Sequence, residues 1–318
     1  MKIVLAEGLN VPEQMIDALA EKLTARGHTF ARFAGKPANA QEMAERIGDA
    51  DAAIIANSPF PDDAVRACGN LKMLSVAFAG VDHVGKAACR EKNILVCNAA
   101  GYSNETVAEL VIGQTLSLLR MTREADAATR AGKTSLGLMG GEIAGRTVGI
   151  IGTGRIGLRT AQLFQAFGAE VIAFSRTEKA EAVQMGIRYL PLDEVMAKSD
   201  IISLHVPLKE DTRGLIGERE IALMKETAVL VNCARGPVVQ AGALADALNS
   251  GRIAGAAIDV FDKEPPLDES EPLLSAKNCI LTPHTGFLTK EAMARRAQIV
   301  FDNITAWLDG KELNKCAL

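Results

Sequence analysis

Aromatic side chains are scarce in this chain, with one Trp, two Tyr and ten Phe in 318 residues. That scarcity argues against base-stacking platforms. Positive charge is not in surplus either: 35 Lys and Arg stand against 39 Asp and Glu, for a net charge of −4. No broad basic surface is therefore expected for nucleic acid. No apolar run approaches the ~20 residues that a membrane span needs. The six cysteines, at 68, 89, 97, 233, 279 and 316, include no Cys-x-x-Cys pair. A chain of this length can hold a core without disulfides, so reduced thiols are expected, and no metal site. The opening Met-Lys before Ile3 to Ala6 is too short for a signal h-region and reads as a strand. A cytoplasmic protein without nucleic-acid or membrane partners is the expectation.

What remains is a core of Ala, Val, Ile and Leu punctuated by 28 Gly, a mixture that suits parallel sheets covered by helices. Short apolar runs at 2–6, 51–56, 71–78 and 93–97 alternate with helical patterns such as 11–26. A second series follows at 147–151, 170–174, 200–206, 228–232, 255–260 and 279–281. Such alternation predicts an α/β protein of two doubly wound parallel sheets with right-handed crossovers. Residues 105–131 read as one long helix carrying apolar side chains at Val107, Leu110, Val111, Leu118 and Met121. The stretch is too hydrophobic for a solvated linker, which predicts a homodimer contact. The last helix is predicted over 290–308, with Met293, Ala297, Val300, Ile304 and Leu308 on one stripe.

The sharpest local motif is Gly152-Thr153-Gly154-Arg155-Ile156-Gly157, which follows an apolar strand and opens a helix. In that context Gly152 permits the tight turn, Gly154 lets backbone approach a pyrophosphate, and Gly157 lets helix and strand pack closely. The helix N-terminus adds N–H groups and positive potential. An NAD enzyme would end the next strand in a carboxylate for the ribose hydroxyls. This chain reads Phe174-Ser175-Arg176-Thr177 there, with Lys179 nearby. Ser175 removes the repulsion of a 2′-phosphate and Arg176 adds a cation, so NADP(H) is the favoured cofactor and NAD(H) the alternative. An arginine simply exposed at a strand end is the plainer reading.

Three ionisable residues follow predicted strands: Arg235, Glu264 and His284, separated by 29 and 20 residues. Ligands of doubly wound folds lie at the carboxyl ends of the strands, so the three are expected to converge beside the cofactor. An arginine can clamp a carboxylate through two parallel bonds, a histidine titrates near neutral pH, and a glutamate can fix its tautomer.

With these motifs in order, the sequence resembles the D-isomer-specific 2-hydroxyacid dehydrogenases from Met1 to about Gly310. Ala79-Gly80-Val81-Asp82-His83, Asn104 to Glu109, Asn232 to Gly236, Asp259 to Pro265 and Thr282-Pro283-His284 also carry the resemblance. It implies two Rossmann-like domains, a substrate domain of 1–98 plus 287–318 and a dinucleotide-binding domain of 99–286 inserted into it. These would close over substrate about hinges near 98–104 and 286–290. Arg235 would bind the substrate carboxylate and polarise the carbonyl, and His284 would be the acid/base. Glu264 would orient His284 and favour its protonated form, while backbone groups of Ala79, Gly80 and Val81 would also meet the carboxylate. Asp259 would contact the nicotinamide end. Thr106, His205, Val206, Pro207, Thr212, Cys233 and Ala234 would line the cofactor cleft, with His205 equally readable as a hydrogen-bonded core residue. The resemblance assigns no chemistry to His83. At Gly286-Phe287-Leu288-Thr289 it breaks down, because many relatives carry small residues there.

The implied activity is NAD(P)-dependent reduction of a small 2-keto acid to the D-2-hydroxy acid, and its reverse. Glyoxylate or hydroxypyruvate is the favoured substrate. Oxidation of 3-phosphoglycerate is the nearest rival. It would need cations for the phosphate, and neither Ile55-Ala56-Asn57-Ser58-Pro59 nor Val76-Ala77-Phe78-Ala79-Gly80 contains an arginine. A non-catalytic dinucleotide-sensing regulator on the same scaffold is the rival from another class. Retention of Arg235, Glu264 and His284 together argues against it.

Overall fold

The computed structural model describes all 318 residues. From the N-terminus it forms β1 (Lys2–Leu5), α1 (Glu13–Thr24), β2 (Thr29–Arg32), α2 (Ala40–Ile47), β3 (Ala52–Ile55) and α3 (Asp62–Ala67). Next come β4 (Met73–Val76), α4 (Lys86–Glu91), β5 (Leu95–Asn98), α5 (Asn104–Leu119) and α6 (Thr122–Arg130). Then follow β6 (Thr147–Ile151), α7 (Arg155–Ala166), β7 (Glu170–Phe174), α8 (Ala180–Gln184), β8 (Arg188–Tyr189), α9 (Leu192–Lys198) and β9 (Ile201–Leu204). The chain ends through α10 (Glu218–Leu223), β10 (Val229–Asn232), α11 (Ala241–Asn249), β11 (Gly255–Ile258), β12 (Cys279–Leu281) and α12 (Lys290–Leu308).

Two compact units result: Met1–Tyr102 with Leu288–Leu318, and Ser103–Phe287 inserted between them. The first contains a five-stranded sheet of order β2-β1-β3-β4-β5, the second a seven-stranded sheet of order β12-β11-β10-β9-β6-β7-β8. Every strand pairing within these sheets is parallel. Both units are therefore Rossmann-like layers, as the strand–helix alternation predicts. The central strands β3, β4, β9, β10 and β11 are buried along their whole length, which is why they read as predominantly apolar runs rather than alternating ones. No helix is long and apolar enough to cross a membrane, and all six cysteines are free.

Two departures from expectation concern edges and one concerns a helix. β2 and β8 lie at sheet edges, and neither carries an apolar run because neither is covered on both faces. The long helix expected over 105–131 is two helices, broken where Met121 adopts a left-handed backbone with φ 48°. Its apolar stripe belongs to α5, where Val107, Val111, Ile112 and Leu119 are buried, packed against α7, β10 and β11. α6 buries nothing. Part of this segment's hydrophobicity is thus absorbed inside its own unit, while Leu110, Leu118 and Met121 are only half-buried.

Candidate active site

Because all strands of the second sheet point the same way, the segments that follow β6, β10, β11 and β12 share one end of it. That end carries the glycine motif, Arg235, Asp259 with Glu264, and His284.

The glycine motif turns sharply from β6 into α7. Gly152 has φ 99°, and a Cβ there would come within 2.8 Å of the His205 carbonyl; a Cβ on Gly157 would lie 2.0 Å from the Gly152 oxygen. Gly154 differs, since a Cβ on it would meet nothing within 4 Å. It caps α7 without a side-chain bond, leaving the first-turn N–H groups, from Arg155 and Ile156 onward, outside the helical ladder. An open approach above uncapped N–H groups fits a dinucleotide pyrophosphate.

At the end of β7, Ser175 is half-buried and Arg176 and Thr177 are exposed. The Arg176 guanidinium donates to Asp211 at 2.8 Å, with both side chains more than half exposed. Sequence reasoning missed Tyr189, which ties this loop to the glycine motif: its hydroxyl donates to Thr153 Oγ1 at 2.8 Å and accepts from the Lys179 N–H at 3.1 Å. Tyr189 lies on the two-residue edge strand that carried no pattern.

The expected cleft residues divide into two groups. Val206 is half-buried and Pro207 exposed where the chain leaves β9. Thr106 is buried in the first turn of α5. Thr212 closes its own loop, donating to the Pro207 carbonyl at 2.7 Å and accepting from the Lys209 N–H at 2.8 Å. His205 pairs through Nε2 with Ser203 Oγ at 2.8 Å, and burial pushes its imidazole down to about 3. It is a neutral, hydrogen-bonded histidine beneath the glycine turn.

Arg235 leaves β10 on an extended backbone, held by the first residue of the 232–236 segment. Asn232, 1% exposed, accepts from the Ala234 N–H and donates to the Arg235 carbonyl, both at 3.0 Å. Beside it, burial raises the Cys233 thiol far above its usual range, with Asp259 adding to the effect. Cys233 is therefore a protonated donor and not a thiolate.

His284 follows β12 on a left-handed backbone with φ 54°. Its Nδ1 is 2.9 Å from Glu264 Oε2, which assigns the Nδ1 proton to that bond and leaves Nε2 for a substrate. Phe287 packs edge-on to the imidazole, ring centroids 5.4 Å apart. Asp259 is 1% exposed and clasps the whole turn. Its Oδ1 accepts from Thr282 Oγ1 at 2.5 Å, the Thr285 N–H at 2.8 Å and Thr285 Oγ1 at 3.2 Å. Its Oδ2 accepts from the Gly286 N–H at 2.8 Å, and its carbonyl accepts from the His284 N–H at 2.8 Å.

In the first unit, the turn after β4 leaves Ala79 exposed, Gly80 half-buried and Val81 buried. Asn98 Nδ2 donates to the Ala79 carbonyl at 2.7 Å and fixes it.

A parallel sheet with a glycine-rich pyrophosphate cradle and a carboxylate-oriented histidine at one end defines a dinucleotide-dependent oxidoreductase. Residues 112–286 match the model of the D-isomer specific 2-hydroxyacid dehydrogenase, NAD binding domain. A glyoxylate reductase of Aeropyrum pernix is 39% identical over 250 residues, covering 76% of this chain and 74% of the relative. A D-3-phosphoglycerate dehydrogenase of Methanocaldococcus jannaschii is 38% identical over 275 residues, covering 85% of this chain; the match spans about half, 52%, of that longer relative. Among solved structures, an acyclic imino acid reductase in complex with NADPH and D-Arg superposes with a TM-score of 0.89 at 28% identity over 100% of both chains. The chain belongs to the D-isomer-specific 2-hydroxyacid dehydrogenase family.

Proposed function

We propose that the chain reduces a small, unphosphorylated 2-keto acid, glyoxylate or hydroxypyruvate, to the D-2-hydroxy acid, with NADPH preferred over NADH. The observation that carries this reading is the 2.9 Å Glu264–His284 pair, at the same end of the sheet as Arg235 and the glycine turn. The nicotinamide dinucleotide, when bound, supplies the hydride to the keto carbon and takes it back in the reverse direction. His284 Nε2 gives its proton to the carbonyl oxygen, and Glu264 holds the ring and balances the imidazolium charge. Arg235 clamps the carboxylate and draws charge toward the carbonyl.

Preference for an unphosphorylated substrate is supported within the first unit. Glu7, fully buried, accepts from the Ala56 N–H at 2.9 Å, the Ser58 N–H at 3.2 Å and the Ser58 hydroxyl at 2.8 Å. The loop after β3, which lacks arginine, therefore turns these donors toward an internal anion and away from a phosphate. The 38% identical phosphoglycerate dehydrogenase keeps 3-phosphoglycerate oxidation as a second reading. Comparing kcat/KM for hydroxypyruvate and its 3-phosphate ester decides between them. A preference for the ester contradicts the first reading.

We also propose a homodimer. Leu136 and Met139, in the connection after α6, are 92% and 94% exposed. Met139 borders a cavity of about 450 Å³ lined also by Leu118, Met121 and Ile280 and by the charged Arg123 and Glu226. Two almost fully exposed large apolar side chains beside a partly apolar hollow suit a second copy of the chain.

A further inference from the structure

Gln114 stands on the apolar stripe of α5, between Val111 and Leu118, and is only 4% exposed. A leucine would satisfy the helical pattern there, whereas a buried amide is unfavourable unless both its ends are bonded. Both ends are bonded. Gln114 Oε1 accepts from the Cys233 thiol at 3.3 Å, and Gln114 Nε2 donates to Thr282 Oγ1 at 3.0 Å. Thr282 then donates to Asp259 at 2.5 Å. Each member thus donates to the next, from Cys233 through Gln114 and Thr282 to the Asp259 carboxylate. Reversing the amide would break this order, because Thr282 would have to give its proton to Gln114 and leave Asp259.

The placement of the two contacts is the informative part. Cys233 is two residues before Arg235, and Thr282 is two residues before His284. β11 separates β10 from β12 in the sheet, and the Gln114 amide bonds to the ends of both. A single helix-borne amide therefore braces both turns from one side. We infer that Gln114 is a positioning residue for the reaction proposed above, holding the Arg235 turn and the His284 turn in fixed register through Cys233 and Thr282. The inference rests on that reading for its kinetic consequence, though not for its structural one.

Two variants test it. Gln114→Leu fills the same volume without bonds; Gln114→Glu retains an acceptor for Cys233 but, ionised, cannot donate to Thr282. Each should lower kcat for keto-acid reduction by about ten- to a hundredfold, the scale of a sub-ångström to ångström misplacement. Keto-acid KM should rise by a smaller factor, and the cofactor Kd should stay within about twofold. The chain has four histidines, so imidazole NMR signals are countable, and the His284 signal is identified by its loss in His284→Ala. That signal should move in both Gln114 variants while those of His28 and His83 stay. Unchanged kcat and KM in Gln114→Leu, or an unmoved His284 signal, overturns the inference. If the wild-type protein reduces no 2-keto acid, the proposed function fails and the imidazole signal alone decides the role of Gln114.

Discussion

Asp259→Asn changes one atom type in a buried clasp and should have a large effect. In the native turn Oδ1 receives three donors and Oδ2 one. An asparagine can keep its oxygen toward Thr282 and Thr285 only by directing its NH2 at the Gly286 N–H, so that two donors face each other. The opposite flip leaves three donors without an acceptor. Even the milder arrangement loses a charge-assisted bond, worth ~1.5–3 kcal/mol, and strands a buried N–H at a further ~1–3 kcal/mol. There is no slack to absorb this, since a Cβ on Gly286 would already stand 2.9 Å from Asp259 Oδ2. His284 also holds a left-handed backbone, which a side-chain-bearing residue adopts at a cost of order 1 kcal/mol and abandons when its restraints weaken. A loss of roughly 3–5 kcal/mol should lower Tm by about 10 °C, at ~2–4 °C per kcal/mol for a unit of this size. Turnover should fall about a hundredfold as Nε2 moves off the carbonyl. Thermal unfolding and steady-state kinetics on the same preparation read both. A role confined to a nicotinamide contact, which the family resemblance implies for Asp259, would instead raise the cofactor KM and leave Tm within about 2 °C of wild type. That outcome would refute the clasp.

Three other outcomes are expected. Arg235→Lys should lower kcat/KM for the keto acid by at least tenfold, because an ammonium cannot reproduce a planar two-bond clamp; unchanged steady-state constants would remove Arg235 from the site. NADPH should be preferred over NADH by roughly tenfold, from a charge-assisted phosphate bond of ~1.5–3 kcal/mol reduced by the ~0–1 kcal/mol needed to part Arg176 from Asp211. Ser175→Asp with Arg176→Ala should reverse that order, and higher wild-type efficiency on NADH would contradict it. Light scattering should give twice the 33.7 kDa chain mass, and Leu136→Asp with Met139→Asp should yield monomer; a wild-type monomer at micromolar concentration would end the dimer proposal.

The sequence made the buried architecture legible because a strand covered on both faces is predominantly apolar, as in β9 to β11, with Ser203 and Asn232 the polar exceptions. It concealed β2 and β8, whose edge positions impose no such demand. The break between α5 and α6 was hidden for another reason: Arg120-Met121-Thr122 contains neither Gly nor Pro, and Met121 reaches φ 48° with no compositional warning. At the site, the ends of parallel strands made Arg235, Glu264 and His284 stand out. The supporting bonds were not visible, because Asn232, Tyr189 and Gln114 act through side-chain directions that spacing does not encode. Gln114 did leave one trace, a polar residue on an otherwise apolar stripe.

The most direct test of the account compares wild type and His284→Ala in the reduction of glyoxylate, with reduced cofactor at saturation. The account predicts that wild type consumes cofactor only in the presence of the keto acid. It also predicts that His284→Ala loses roughly 10²–10⁴ in turnover, the size of a general acid/base contribution, while its cofactor Kd changes by less than about twofold. Turnover in His284→Ala within a few-fold of wild type would contradict the assignment of the proton to His284 and the mechanism built on it.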